Sequence, residues 1–347
     1  MEIGSKIKQL RAKAGLTQEQ LACKLGISAQ SVSKWETGVT MPDVALLPLL
    51  AGELGVSIDE LFDLTAEQKL HRIERGIDVL TEFPPDVFKE HEEFLKHQLD
   101  EHPDRVRILE LLARLYQFRM EADARRVSRY AREAIERAPE HKYCQWMLQM
   151  SEGAVCWDWN MANHTGVINF FKKVIEKDHG TPKAPLPYMY LIDNLIADHR
   201  TEEAKQYLDA YANLPAARPF MIPVYRAHIA LAEYDVPGAD AIMQQAQTCL
   251  GEDPGFLFEL AQYHAKKGDY TKAIEYYEAS WEKDTKRPRY TDTLHGIAIA
   301  YEILGDRNMA VQSYDRMIDC ILNEWGYLPD DAATVLAQKE KNRLLQA

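Results

Sequence analysis

Thr17–Gly38, TQEQLACKLGISAQSVSKWETG, is the stretch whose reading decides the fold. It reads as two short helices joined by a tight turn. Thr17 is an N-cap residue, and Gln20 three residues later can complete a capping box that satisfies backbone N–H groups left open at a helix start. Leu21, Ala22 and Leu25 then share one face. Gly26 stops the helix, because a sharp turn wants a residue that tolerates positive φ. Ser28 caps the second helix, whose inward face is Val32 and Trp35, and Gly38 closes it. Small Ala22 stands where the second helix must cross the first. Outward on the second helix are Ala29, Gln30, Ser33 and Lys34, all short or hydrogen-bonding. A helix lying in the major groove needs such a face to approach base edges and phosphates. An ordinary helical hairpin would share the caps, but chance rarely sets caps, small residue, turn glycine and apolar anchors in one register.

The flanks extend the same pattern. Ile3, Ile7 and Leu10 predict a first helix ending near Ala14-Gly15. Pro42 and Asp43 lead into a fourth helix over Ala45–Leu54, with Pro48 in its first turn, where a missing N–H is tolerated. Gly55 ends it, and Ser57 caps a last short helix over Ile58–Phe62, whose Leu61 and Phe62 are expected to seal a small core.

From about Ile3 to Phe62 the chain resembles the helix-turn-helix of the lambda-repressor/Cro-like (Xre) regulators, down to the opening TQEQLA and the SKWE tetrapeptide Ser33–Glu36. The resemblance implies a five-helix lambda-repressor-like DNA-binding domain, residues 1–63, which binds double-stranded operator DNA as a homodimer. It implies that Gln18 touches a phosphate at its helix N-terminus. Ala29, Gln30 and Lys34 would face the groove beside Ser33, with Ser28 and Ser31 close to the DNA backbone. Ala29 departs from the longer polar residue often found there.

The chain has 347 residues and a formal net charge of −13, which taken alone argues against nucleic acid. The distribution reverses that for one end: residues 1–42 carry +3 and the remainder −16. A modestly basic head on an acidic body suits a DNA reader. Cys23, Cys144, Cys156, Cys249 and Cys320 are scattered with no C-x-x-C pair, against structural zinc or a disulfide framework. The chain opens on an amphipathic helix instead of a signal peptide, and no apolar run approaches the ~20 residues of a membrane span. The expectation is a cytoplasmic protein.

Thr65–Phe83 predicts an amphipathic connector helix with Leu70, Ile73, Ile77 and Leu80 on one stripe, broken by Pro84-Pro85. Residues 64–103 are read as connector helices, a linker packed on the next domain or part of a dimer contact. Residues 104–347 read as a repeat array. Leu260-Ala261, Gly268, Ala273 and Tyr277 stand at tetratricopeptide spacing, and Ile297-Ala298, Tyr301, Gly305, Ala310 and Tyr314 repeat it. Gly268-Asp269 and Gly305-Asp306 mark two inter-helix turns. Backwards, Ala239 and Ala204 fill the same helix-crossing slot, and Val167 and Val127 fit it less well. The reading is an all-α chain: the head, then an α-solenoid of about six tetratricopeptide-like helix pairs from near Asp104 to Asn323, each burying its face on its neighbours. A final helix, Asp331–Leu345, caps the end.

No enzyme signature is present: no phosphate-binding loop, no nucleophile elbow, no dinucleotide fingerprint. His91-Glu92 and His97 miss the metalloprotease spacing, so no metal and no cofactor is expected. The inward first-helix positions of the array are Tyr190 and Asp193, Tyr225 and His228, Phe258, Glu259 and Gln262, then His295 and Glu302. This lining is aromatic and acidic, and it lacks the Lys/Arg/Asn set that clamps a carboxylate in some relatives. It suits a cationic or amphipathic peptide, or a small cation held against aromatic faces; a purely structural or dimerising surface is the bland alternative. Trp157, Trp159, Asn160, Asn163 and His164 form a second candidate, as a pocket or as core plus caps. The architecture resembles regulators whose repeat domain binds a short signalling peptide. The function expected is a sequence-specific transcriptional regulator modulated by a peptide, small ligand or protein partner. The alternative is a DNA-tethered adaptor whose repeats hold a protein partner.

Overall fold

Every regular element is helical among the residues described by the computed structural model, which are 3–62, 65–154, 163–177 and 184–346. The chain divides into two compact units, Met1–Asp123 and Ala124–Ala347.

The first unit opens with α1 (Ile3–Lys13), α2 (Gln18–Leu25) and α3 (Ala29–Glu36). Thr17 and Gln20 form the expected capping box, the Gln20 N–H donating to Thr17 Oγ1 at 3.1 Å and the Thr17 N–H to Gln20 Oε1 at 2.8 Å. Gly26 ends α2 at φ 67°, and Ser28 caps α3 by accepting from the Ser31 N–H at 3.1 Å. The expected fourth helix starts as a 3-10 turn over Val44–Leu46, held by Asp43, and continues as α4 (Leu47–Leu54) with Pro48 in its first turn. The single turn α5 (Ile58–Leu61) follows. Ile7, Leu21, Val32, Leu50 and Leu61 are fully enclosed and Trp35 nearly so. Phe62 departs from expectation: α5 stops at Leu61, so Phe62 falls beyond the packed face and stays exposed.

The connector is α6 (Ala66–Val79) and α7 (Pro85–Glu101), followed by α8 (Arg105–Arg137). Leu70 and Ile73 from α6 meet Phe88 and Leu95 from α7 and Ile108 and Leu111 from α8 in a second small core. Leu80 is exposed, because α6 ends at Val79.

The first expected helix pair is absent. Where Val127 was placed in a crossing slot, α8 runs unbroken for 33 residues, and Val127 is exposed. The physical reason is plain in the sequence, since 105–137 holds neither glycine nor proline to break a helix. After α9 (Lys142–Ser151) comes α10 (Thr165–Lys177), where Val167 is exposed and fills no slot either.

Four regular pairs then stack: α11 (Pro185–Ala197) with α12 (Thr201–Ala212), α13 (Met221–Ala232) with α14 (Val236–Leu250), α15 (Pro254–Lys266) with α16 (Tyr270–Lys283), and α17 (Asp292–Ile303) with α18 (Arg307–Asn323). Ala204, Ala239, Ala273 and Ala310 are each wholly buried, as close helix crossing requires. The pair turns all use the left-handed region. Gly268 (φ 78°) and Gly305 (φ 81°) do so at no cost, whereas His199 (φ 54°) and Tyr234 (φ 63°) hold the same conformation in the earlier pairs. Those two rings stack 5.9 Å apart, and His199 Nδ1 lies 3.0 Å from the Ala232 carbonyl, contacts that offset the strain of about 1 kcal/mol each. The last helix, α19 (Ala332–Gln346), buries Leu344 and closes the stack.

Candidate nucleic-acid interface and ligand groove

The scaffold of the head depends on three residues that the sequence pattern did not single out. Gly4 lets α1 lie against the backbone of α3: a Cβ there would sit 2.0 Å from the Trp35 carbonyl oxygen. Arg11 and Glu36 form a shielded ion pair, with Nε at 2.5 Å and a terminal nitrogen at 3.0 Å from the two carboxylate oxygens, while Arg11 also donates to the Leu16 carbonyl at 2.7 Å. Burial alone would raise the Glu36 carboxyl, but hydrogen bonds from Arg11 and Gln18 outweigh it and hold it below the ordinary value. The signal was present. Gly4 and Arg11 flank Ile7 one turn either side, and Glu36 stands one turn after Val32, so all three lie on buried stripes.

Gln18 joins this cluster. Its amide donates to Glu36 Oε2 at 2.7 Å, so in this structure the side chain braces α3. Gln30 and Lys34 are exposed one turn apart on α3. Ala29, Ser31 and Ser33 are half-buried beside them, and Ser28 is exposed with its hydroxyl 2.9 Å from that of Ser31. The outward face of α3 is thus two long polar side chains on a small, braced platform.

In the array, a cleft of about 870 Å³ lies along α11, α13 and α15. Asp193, His228 and Gln262 line it, together with His199, Leu231 and Lys266. A second cleft of about 420 Å³ takes in Phe258, Gln262 and His295 with Tyr277 and Ile299. Gln262 and Ala265 line both, so the two clefts adjoin. Tyr190 is exposed and stacks on Phe171 at 5.8 Å. Tyr225 is buried, so it offers no open aromatic face; its hydroxyl lies 3.4 Å from the Met189 carbonyl and also bonds Asp193. Glu302 is held by Arg343 through two bonds of 2.7 and 2.8 Å and is not available to a ligand.

Electrostatics single out one end of the larger cleft. Asp193 keeps some solvent exposure, yet the enclosing walls push its carboxyl up, against the opposing pull of the Tyr225 hydroxyl and Lys266. Burial, then repulsion from Asp193, lifts Glu259 to about 7, with Arg218 tempering the rise. Burial lowers His228 to about 4, and its Nε2 is enclosed without a hydrogen-bond partner. Neither Asp193 nor Glu259 has an ion-pair partner among the described residues.

The lining is not the purely acidic and aromatic surface expected. Lys266 and Lys267 reach the larger cleft as well. Lys267 is tied to Asp240 and sits over the Tyr263 ring at 5.2 Å, whereas Lys266 is exposed and acts electrostatically on both Asp193 and His228. Lys266 stands one helical turn after Gln262, a spacing that could have found it. Of the second candidate, Trp157, Trp159 and Asn160 lie outside the described residues. Asn163 caps the Thr165 N–H at 3.0 Å, and His164 pairs with Asp198 at 2.5 Å, roles that suffice structurally. Among the described residues no group of His, Cys, Asp or Glu is placed to hold a metal ion, and no helix is long and apolar enough to cross a membrane.

The helix-turn-helix family pattern matches residues 7–61, and the tetratricopeptide repeat pattern matches residues 254–280. The chain is similar to the HTH-type transcriptional activator BcrR of Enterococcus faecalis, 44% identical over 61 residues, which is 18% of this chain and 30% of that protein. It is also similar to the uncharacterized HTH-type transcriptional regulator y4dJ of Sinorhizobium fredii, 43% identical over 65 residues, 19% of this chain and 84% of that one. It therefore spans less than a third of the activator's length and most of the smaller regulator's. Among solved structures, the crystal structure of Bacillus thuringiensis PlcR in complex with the peptide PapR7 and DNA matches over 100% of this chain and 99% of that one. At 13% identity and a TM-score of 0.27, that likeness carries no argument about function.

Proposed function

The chain belongs to the helix-turn-helix family of transcriptional regulators, and on that premise we propose that it is a sequence-specific DNA-binding regulator whose repeat groove takes a ligand that modulates operator binding. The observation that carries the first half is the exposed Gln30 and Lys34 pair on α3, held out by a fully braced scaffold. Gln30 and Lys34 read base edges in the major groove. Ala29, Ser28, Ser31 and Ser33 allow the close approach, and the N-terminal end of α2 at Gln18 meets a phosphate. One head offers a small contact surface, and its net charge is +3 over residues 1–42 but −2 over 1–63, too little for tight specific binding at physiological salt, so the working form is a cytoplasmic homodimer on a pseudo-palindrome with half-site centres about 10 bp apart.

The second half rests on Asp193, an exposed carboxylate in the cleft lining, and on half-buried Glu259 within its electrostatic reach, neither of them in an ion pair among the described residues. A ligand cation, from a peptide or a small amine, completes the pair. The test of the whole reading is to map binding sites on genomic DNA, starting with the chain's own promoter, for the parent and for Lys34→Ala. Recovery of one shared palindromic motif, lost or relaxed at one or two positions in the variant, supports it. Recovery of no shared motif rejects it.

A further inference from the structure

Successive repeats allow one junction to be compared with the next. Where α12, α13 and α14 meet, a cleft is lined by Lys205, Ile229, Ala230, Glu233 and Ile242. One repeat later, with Ala239 set on Ala204, Gly268 on Tyr234 and Ala273 on Ala239, the same slots of α14, α15 and α16 belong to Asp240, Tyr263, His264, Lys267 and Tyr276. Each junction is tied by an ion pair, Lys205 with Glu233 at 2.6 Å and, with the signs exchanged, Lys267 with Asp240. The filling is what differs. Three polar rings replace Ile229, Ala230 and Ile242, and Lys272 takes the slot of Gly238. Every junction of a repeat array meets the same packing problem, so packing alone does not call for this exchange.

The later junction encloses a cleft of about 170 Å³ whose walls, Met243 and Leu260 apart, are polar. At about 30 Å³ for a water, it has room for a group of about five heavy atoms. Asp240 is answered twice at Oδ1, by the Tyr263 hydroxyl at 2.7 Å and by Lys267. The Tyr276 hydroxyl accepts from the Gln247 amide at 3.1 Å and so keeps its own proton to donate. Lys272 is exposed, with its ammonium 3.5 Å from Asp269. In the lining two ammonium groups therefore stand against one carboxylate, a local positive excess in a chain of net charge −13. His264 stacks on Tyr276 with ring centroids 5.3 Å apart, and burial lowers its pKa ahead of the opposing pull of Asp269.

We propose that this cleft is a phosphate site: a phosphate group, free or on a small ester, sits among Lys267, Lys272 and the Tyr276 hydroxyl. Ammonium groups hold phosphate as point charges, and donors from two helices surround a compact group more readily than a planar one. Gln244, exposed in the lining on α14, adds an amide and would tie that helix to the same group. Exposed Gln244 and Lys272 mark the mouth, through which the rest of an ester reaches solvent. The site lies between the second helices of two pairs, apart from the larger cleft except at Lys267, which reaches both. It stands whether or not that cleft takes a ligand.

The test titrates inorganic phosphate, glycerol 3-phosphate and acetate onto the full chain by calorimetry, at neutral pH and constant ionic strength. One phosphate group per chain should bind saturably, and acetate about tenfold more weakly or less. Whichever phosphate binds more tightly supports the site and identifies its source as the free ion or an ester. Lys272→Gln and Tyr276→Phe should each weaken phosphate by about tenfold, the scale of one hydrogen bond to a charged group, with melting curves that show the fold kept. Lys205→Gln removes an ammonium of the same kind from the preceding junction and should leave phosphate binding as it is. No saturable binding of either phosphate, or acetate bound as tightly, overturns the site. So does equal weakening by Lys205→Gln and Lys272→Gln, or phosphate binding that neither Lys272→Gln nor Tyr276→Phe alters.

Discussion

The head and the repeat groove treat shielded polar groups in opposite ways. In the head, Glu36 accepts from both Arg11 and Gln18, and Arg11 has a further carbonyl to bond. In the groove, His228 Nε2 has no partner, and Glu259 is repelled by Asp193 with no ion pair of its own, while Asp193 is bonded by the Tyr225 hydroxyl. Satisfied networks fix a geometry, while unsatisfied ones cost stability and persist where something else is served. The difference teaches that the polar cluster of the head is satisfied by its own chain, which leaves Gln30 and Lys34 exposed on a braced helix. The groove is less fully satisfied: Tyr225 bonds Asp193, but His228 Nε2 has no partner, and under the proposed function a ligand would supply the rest.

The largest test of this contrast is Gly4→Ala. The added methyl meets the Trp35 carbonyl at 2.0 Å, so α1 and α3 must part, at an expected cost of about 3 kcal/mol or more. Thermal melting should show the head destabilised and operator binding should be lost with it; an unchanged melt would mean that the helices are not in this register. Next is Glu36→Ala, which strands Arg11 and frees Gln18. About 3 kcal/mol of destabilisation is expected by chemical denaturation, the scale for breaking a shielded pair from one side.

Lys34→Ala and Gln30→Ala sharpen the same contrast from the surface. Each should lower operator affinity by about 1–3 kcal/mol and relax preference at one or two base pairs. Neither should move the melting temperature, since both side chains are exposed. Affinity unaltered in a gel-shift or anisotropy assay would place the reading face elsewhere.

The smallest effect belongs to the groove and has the opposite sign. Glu259 titrates near 7 in the folded chain, above its ordinary 4.5. Between those values the folded chain holds a proton that the unfolded chain has released, so stability falls as pH rises through the window and levels off above it. Glu259→Gln removes that slope. The variant should be more stable than the parent at pH 8, on the order of 1–2 kcal/mol after allowance for partial exposure, and nearly equal near pH 4. Parallel pH profiles for the two, in denaturant titrations, would show that Glu259 is not desolvated in the groove.

Much of this was legible before any coordinates. Thr17, Gln20, Gly26 and Ser28 act through bonds that span three or four residues, so the caps of α2 and α3 are written where they act. Ala204, Ala239, Ala273 and Ala310 recur because each pair must solve the same crossing. The unbroken α8 is equally legible from its lack of glycine and proline, although it lies where the repeat period of the later pairs, extended towards the N-terminus, predicts a break. The earlier pair turns were masked differently: His199 and Tyr234 occupy positions where local preference calls for glycine, and ring stacking between successive repeats holds them there.

Sequence by itself determined the all-helical class, the helix-turn-helix, the four regular pairs and the outward placement of Gln30 and Lys34, since periodicity and capping are properties of neighbours along the chain. Tertiary structure decided the rest. It brought Arg11 to Glu36 across 25 residues, set Gly4 against Trp35, sank Tyr225 into the core and opened Lys266 to the cleft. Charge pairing and close packing depend on distances between segments remote in sequence, and those distances exist only once the helices have packed.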